Sequence, residues 1–200
     1  MRLAILIAVV LLLLAGALCL PRPYPLACPP GTHADPDRQA RLVARLQDAL
    51  PRLATPEAQA VSQSPELGAW CFGQESELRE QGPLLLDQDL GDDEATARAA
   101  HLLLHLLVAP WPPSQAPCAE RVKAAVNAEA RALSLELELR QALGVTTPKV
   151  AYAFAAEHQQ TPPAQRTALL ERLLHAFPDG APGVPGLAGA YAQRCRASEP

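Results

Sequence analysis

Apolar residues recur at helical spacing along most of the chain. Leu42, Val43, Leu46, Ala49, Leu50 and Leu53 follow the three-and-four rhythm of one helix face. Asp35-Pro36 in front of them offers a capping carboxylate and a proline suited to the first helical position, and Pro51 ends or bends the run. A short helix is expected over 56–63. The next long helix starts at Gly91-Asp92-Asp93-Glu94 and carries EATARAAHLLLHLLVA up to Pro110. A third, the longest, covers about 118–143, with Gly144 as its stop. Thr147-Pro148 and Thr161-Pro162 read as cap-plus-proline starts of two further helices, the second carrying Leu169, Leu170, Leu173, Leu174 and Phe177. Strand-like patterning is confined to the short apolar runs 69–73 and 84–87, which predict two strands of a small sheet. The fold class is therefore mainly α (α+β), a helical domain with a small, mainly antiparallel sheet beside the HLLLH helix. There is no internal repeat.

Composition sharpens this picture. Both isoleucines, Ile5 and Ile7, fall in the first twenty residues, so the rest of the chain relies on Ala and Leu, which favour helices over sheets. Met1-Arg2 is followed by LAILIAVVLLLLAGALCL, which carries no charge. A basic start, an apolar run and small residues at Ala15-Gly16-Ala17 describe a secretory signal peptide. An uncleaved membrane anchor is the competing reading, and lipidation of Cys19 a third. Residues 1–20 are thus expected to be the leader or anchor, 21–34 a Pro-rich arm, and 35–200 a single domain outside the cytoplasm. Membrane contact is expected only through 1–20. With 17 basic and 21 acidic residues, a net charge of -4 and 4% aromatics, a nucleic-acid partner is disfavoured. Beyond Cys19, the cysteines are Cys28, Cys71, Cys118 and Cys195. In an oxidising compartment these are disulfide candidates with three possible pairings, and no CxxC pair points to a thiolate metal site.

Candidate chemistry lies on the two long helices after residue 90. His101 and His105 are four apart, so both imidazoles share one helix face and can reach one metal ion. Their helix is apolar nearly all round, which is the pattern of a buried helix, and a buried imidazole needs a polar partner or a metal. Glu129 sits in an apolar stripe made by Val122, Ala125, Val126, Ala132 and Leu133. Its carboxylate therefore needs a partner as well: a metal, or an arginine such as Arg131 or Arg98. Glu136 and Glu138, in LELEL, are expected to point partly to solvent, and His33 and His158 to be solvated. Trp70 and Trp111 are expected to anchor core or loop. No GxSxG, Walker loop or GxGxxG occurs.

A strand ending in LLLD, a polar turn, a helix with His-x-x-x-His and a later helix with an inward Glu follow one another over roughly residues 69–143. In order and spacing this resembles a zincin metallopeptidase of the gluzincin type, in which HExxH and a downstream Glu hold a catalytic zinc. The resemblance implies a zinc site of His101, His105 and Glu129, an active-site helix over 94–107, and Leu84–Asp87 beside the cleft. The chain departs from the family at Leu102, where the family has its catalytic Glu. That Glu takes a proton from the attacking water and passes it to the leaving amine, assistance of roughly 10²–10⁴-fold. Leucine can do neither, and Glu94 is two turns away. The expectation is an exported zincin-like homologue, impaired as a peptidase, that serves binding or scaffolding of an unidentified protein or peptide partner. Two alternatives stand beside it: an exported, disulfide-stabilised helical interaction protein with no metal site, and an active hydrolase with an unconventional base.

Overall fold

The Asp35 carboxylate accepts from the Arg38 N–H at 2.9 Å, and Pro36 opens helix α1, Pro36–Ala49. The stripe Leu42, Val43, Leu46 and Ala49 is buried. Proline cannot continue the α-helical ladder, and at Pro51 the chain tightens into a single 3-10 turn, Leu50–Arg52. Thr55 then caps helix α2, Pro56–Ser62, by accepting from the Ala58 N–H at 3.2 Å. The computed structural model describes residues 28–63, 69–77, 83–108 and 116–197. The leader 1–20, Cys19, residues 21–27 of the arm, Trp111 and most of the loop after α3 lie outside the described residues.

Among the described residues three strands form one sheet in the order β1, His33–Ala34; β2, Trp70–Gly73; β3, Leu84–Asp87. β1 pairs antiparallel with β2, but β2 and β3 are parallel, with Trp70 opposite Leu84 and Gly73 opposite Asp87. The sheet is mixed, which corrects the expected mainly antiparallel pairing. The connection after β2 does not fold back as a hairpin. It passes to the other edge of β3, where Glu77 and Leu85 exchange N–H···O bonds of 3.1 and 3.2 Å and Ser76 Oγ accepts from the Asp87 N–H. His33–Ala34 covers the open edge of β2, which would otherwise expose unpaired backbone groups, and Cys28 is bonded to Cys71.

The remaining helices are α3, Asp92–Val108; α4, Cys118–Ala142; α5, Ala155–Gln160; α6, Pro163–Ala176; and α7, Leu187–Ala197. The expected helix at Thr147-Pro148 does not form. The Lys149 and Val150 N–H groups, which would open it, donate instead to the Glu94 carboxylate of α3 at 2.8 and 3.1 Å, and the chain runs irregularly to α5. At the next start the helix begins one residue late, with Pro162 at the cap.

α4 is the wall between two apolar cores. Its Ala132, Leu135 and Leu139 join α1, the sheet and α3, while Val126, Ala130, Leu133 and Leu137 pack with Phe154, Leu170, Leu174 and Ala188. Covered on both sides, it leaves little room for a solvent face. Glu136 has no exposed surface and Glu138 is 8% exposed, correcting the expectation for LELEL. His158 is also buried, against expectation, sharing a 2.9 Å hydrogen bond with Ser134 of α4. Trp70 is a core residue.

Of the three possible pairings, the chain adopts Cys28–Cys71 and Cys118–Cys195, each with a Cα–Cα distance of 5.7 Å. Such bonds persist in oxidising compartments. Among the described residues no helix is long and apolar enough to cross a membrane.

Candidate metal centre

α3 is apolar because it is packed on several sides, against α1, α2, α4 and β3. Positions 98, 101 and 105 follow one face of it, and that face meets α4. His101 is 3% exposed, and the side chains of His105 and Glu129 are 13% and 12% exposed. Helical spacing brings the two imidazoles edge to face, with ring planes at 62° and Nε2 atoms 3.3 Å apart. Glu129 Oε2 lies 3.5 Å from Nε2 of His101 and 3.4 Å from Nε2 of His105. The three atoms form a nearly equilateral triangle. Donors at about 2.0–2.1 Å from one ion are spaced in this way, so the group can hold a metal ion.

Neither arginine expected as an alternative partner pairs with Glu129. Arg131 bonds Glu57 at 2.8 Å, and Arg98 bonds Glu136 at 3.1 Å. The other Glu129 oxygen accepts from Tyr191 Oη at 2.6 Å, a contact supplied by α7. Behind His101, Glu136 Oε2 stands 2.9 Å from Nδ1, off the line of the ring N–H, so the contact is ionic more than a well-aligned hydrogen bond. Arg140 holds the other Glu136 oxygen at 2.6 Å, and Tyr152 Oη approaches it at 3.4 Å. Carboxylates placed behind metal-binding histidines fix the tautomer and the ring orientation.

The charges follow from this crowding. Burial pushes Glu129 up, but His101 and His105 outweigh it and hold the carboxyl well below its ordinary range. Burial likewise opposes ionisation of Glu136, and His101, Arg98 and Arg140 bring it down to about 2. His101 is pushed down by burial and raised overall by Glu129 and Glu136. The two carboxylates thus draw positive charge to this place, where a proton on His101 and a divalent cation compete. Burial and the Glu129 charge push the Tyr191 phenol above its ordinary range, so it remains a donor.

Leu102, one residue after His101, is 3% exposed and contributes to the apolar core as well as to the wall of the cleft. Glu94 is committed to Arg140 at 3.2 Å and to the 149–150 backbone. The centre opens onto a cleft of about 1180 Å³ between α3, α4 and α7.

The three site residues inferred from sequence are therefore brought together. Glu136, Tyr152 and Tyr191 were missed. Glu136 is seven residues after Glu129, two turns along the same face, a signal available in the sequence; the two tyrosines arrive from later segments and carry none. Comparison with protein-family models, curated protein sequences and solved structures returns no match.

Proposed function

We propose that this chain is an exported, zincin-like metallopeptidase homologue that holds a divalent metal at His101, His105 and Glu129 and serves in binding or scaffolding rather than hydrolysis. The triangle of Nε2, Nε2 and Oε2 atoms with 3.3–3.5 Å edges carries this reading. Two imidazoles and a carboxylate are a donor set that suits zinc, and the buried Glu136 and Tyr191 support it from behind. A bound ion supplies a fixed positive charge able to polarise an oxygen ligand in the cleft.

The chain's own groups do the rest. His101 and His105 present their Nε2 lone pairs, Glu136 favours the proton on His101 Nδ1, and Tyr191 orients Glu129. Leu102 offers hydrocarbon where a peptidase of this type needs a proton acceptor. Export is supported by the apolar leader sequence and by the two cysteine pairs.

The metal content of the purified full chain tests the reading. About one zinc per chain is expected, lost on His105→Ala. Peptidase activity is expected only in Leu102→Glu, with circular dichroism checking that this variant folds. Activity already present in the unmodified chain and lost on His101→Ala would sink the non-hydrolytic assignment.

One observation favours the competing reading, a disulfide-stabilised interaction protein with no metal. A protonated His101 already satisfies Glu129 and Glu136 electrostatically. Absence of metal after mild purification decides for that alternative.

A further inference from the structure

Three carboxylates, Glu94, Glu129 and Glu136, meet two guanidinium groups, Arg98 and Arg140, around the two imidazoles. Imidazoles must be neutral to act as metal donors. The cluster then carries one net negative charge without an ion and one net positive charge with a divalent one. The charged side chains lining the cleft itself balance: Glu77, Glu120, Glu129 and Glu171 against Arg98, Lys123, Arg131 and Arg194. A bound divalent ion makes the cleft positive and so favours an anionic ligand, and three protein donors leave a four-coordinate zinc one place for it.

A candidate second anchor lines the same cleft. Arg98 lies one helical turn before His101, lines the same cleft and has a side chain 24% exposed. Among the described residues Glu136 is its single hydrogen-bond partner. A guanidinium has five N–H donors in a fork that matches a carboxylate, so donors remain after that bond. The cleft is also apolar at its surface. The described residues include three exposed large hydrophobic side chains, Leu106, Val150 and Phe177, and the first two line this cleft. Its 1180 Å³ is larger than the roughly 300–1,000 Å³ of small-molecule pockets, which leaves room for several residues of a chain.

Resting on the metal reading above, we propose that the cleft receives the free C-terminal carboxylate of a peptide with an apolar last side chain, and that Arg98 is its second anchor. With Leu102 in place of a base, such a peptide is held and not turned over.

The test is calorimetric titration of the zinc-loaded full chain with acetyl-Ala-Ala-Leu as the free acid and as its C-terminal amide. Zinc content is measured on the same samples. The acid is expected to bind about tenfold or more tightly than the amide, the factor a charge-assisted hydrogen bond gives. That preference should vanish after the metal is removed by chelation. It should fall in Arg98→Gln and partly recover in Arg98→Lys, with circular dichroism confirming that both fold. Equal binding of acid and amide to the zinc-loaded chain overturns the proposal while leaving the metal reading intact. So does an acid preference that survives chelation or Arg98→Gln. A chain that takes up no zinc removes the metal reading and the proposal with it.

Discussion

Glu136 has no exposed surface, yet four side chains converge on its two oxygens: Arg98, His101, Arg140 and Tyr152. Burying a carboxylate is costly unless it is paired, and here the pairing also sets how His101 presents its lone pair. Glu136→Gln keeps the shape and removes the charge. It should weaken metal affinity about 10–100-fold, measured by competition with a chromogenic chelator, and lower the thermal midpoint as well, because Arg98 and the buried Arg140 lose their shared counter-charge. His158 gives a separate prediction. Burial first, then the nearby Arg166 charge, pushes its pKa down to about 4 from 6.5. A depressed histidine pKa means the unfolded chain binds the extra proton between those values. Its contribution to stability is thus full above about pH 6.5 and lost as pH falls towards 4. Urea midpoints should drop between pH 7 and 4.5, and the drop should shrink in His158→Gln.

At the level of elements, the joints matter more than the helices. Glu94, in the first turn of α3, grips the Lys149 and Val150 N–H groups and Arg140 together. This fastens the segment carrying Val150 and Tyr152 against the cleft. Glu94→Ala leaves two amides and a buried guanidinium without that partner, at a cost of about 1–3 kcal/mol. Faster hydrogen exchange confined to residues 149–152 is the local sign to look for. α1 is joined to α3 differently. Arg38 and Arg41 reach Asp92, and Arg45 reaches Asp93, at the α3 N-terminus, where negative charge also complements the helix dipole. Arg41 and Arg45 are largely exposed, and exposed pairs of this kind contribute little singly.

Across the whole molecule, a covalent link joins α7 to the start of α4 beside the centre. Cys118, at the start of α4, is bonded to Cys195 in α7, one turn beyond Tyr191, whose hydroxyl holds Glu129. The bond closes a sequence separation of 77 residues that contains α5 and α6. Replacing both cysteines by serine should lower stability by about 2–4 kcal/mol, read from urea unfolding. Metal should also be released more readily, because Glu129 then loses its partner from α7. Unchanged metal retention in a clearly destabilised double variant would show that the Cys118–Cys195 bond is not needed to hold the site.

Much was legible along the chain because local chemistry fixes it. Asp35 and Thr55 cap as their types predict, Pro51 ends α1, and Gly144, at φ +72°, follows the end of α4 where a left-handed turn is needed. The HxxxH spacing alone puts His101 and His105 one turn apart on one face, and the apolar stripe around Glu129 marks a carboxylate that must find partners. These follow from the 3.6-residue helical period, which acts within a few residues. The tertiary structure alone decided the parallel pairing of β2 and β3, the burial of LELEL between two cores, the choice of disulfides, and the arrival of Tyr152 and Tyr191 at the site. Each depends on which distant segments pack together, and the local pattern of either partner does not specify that.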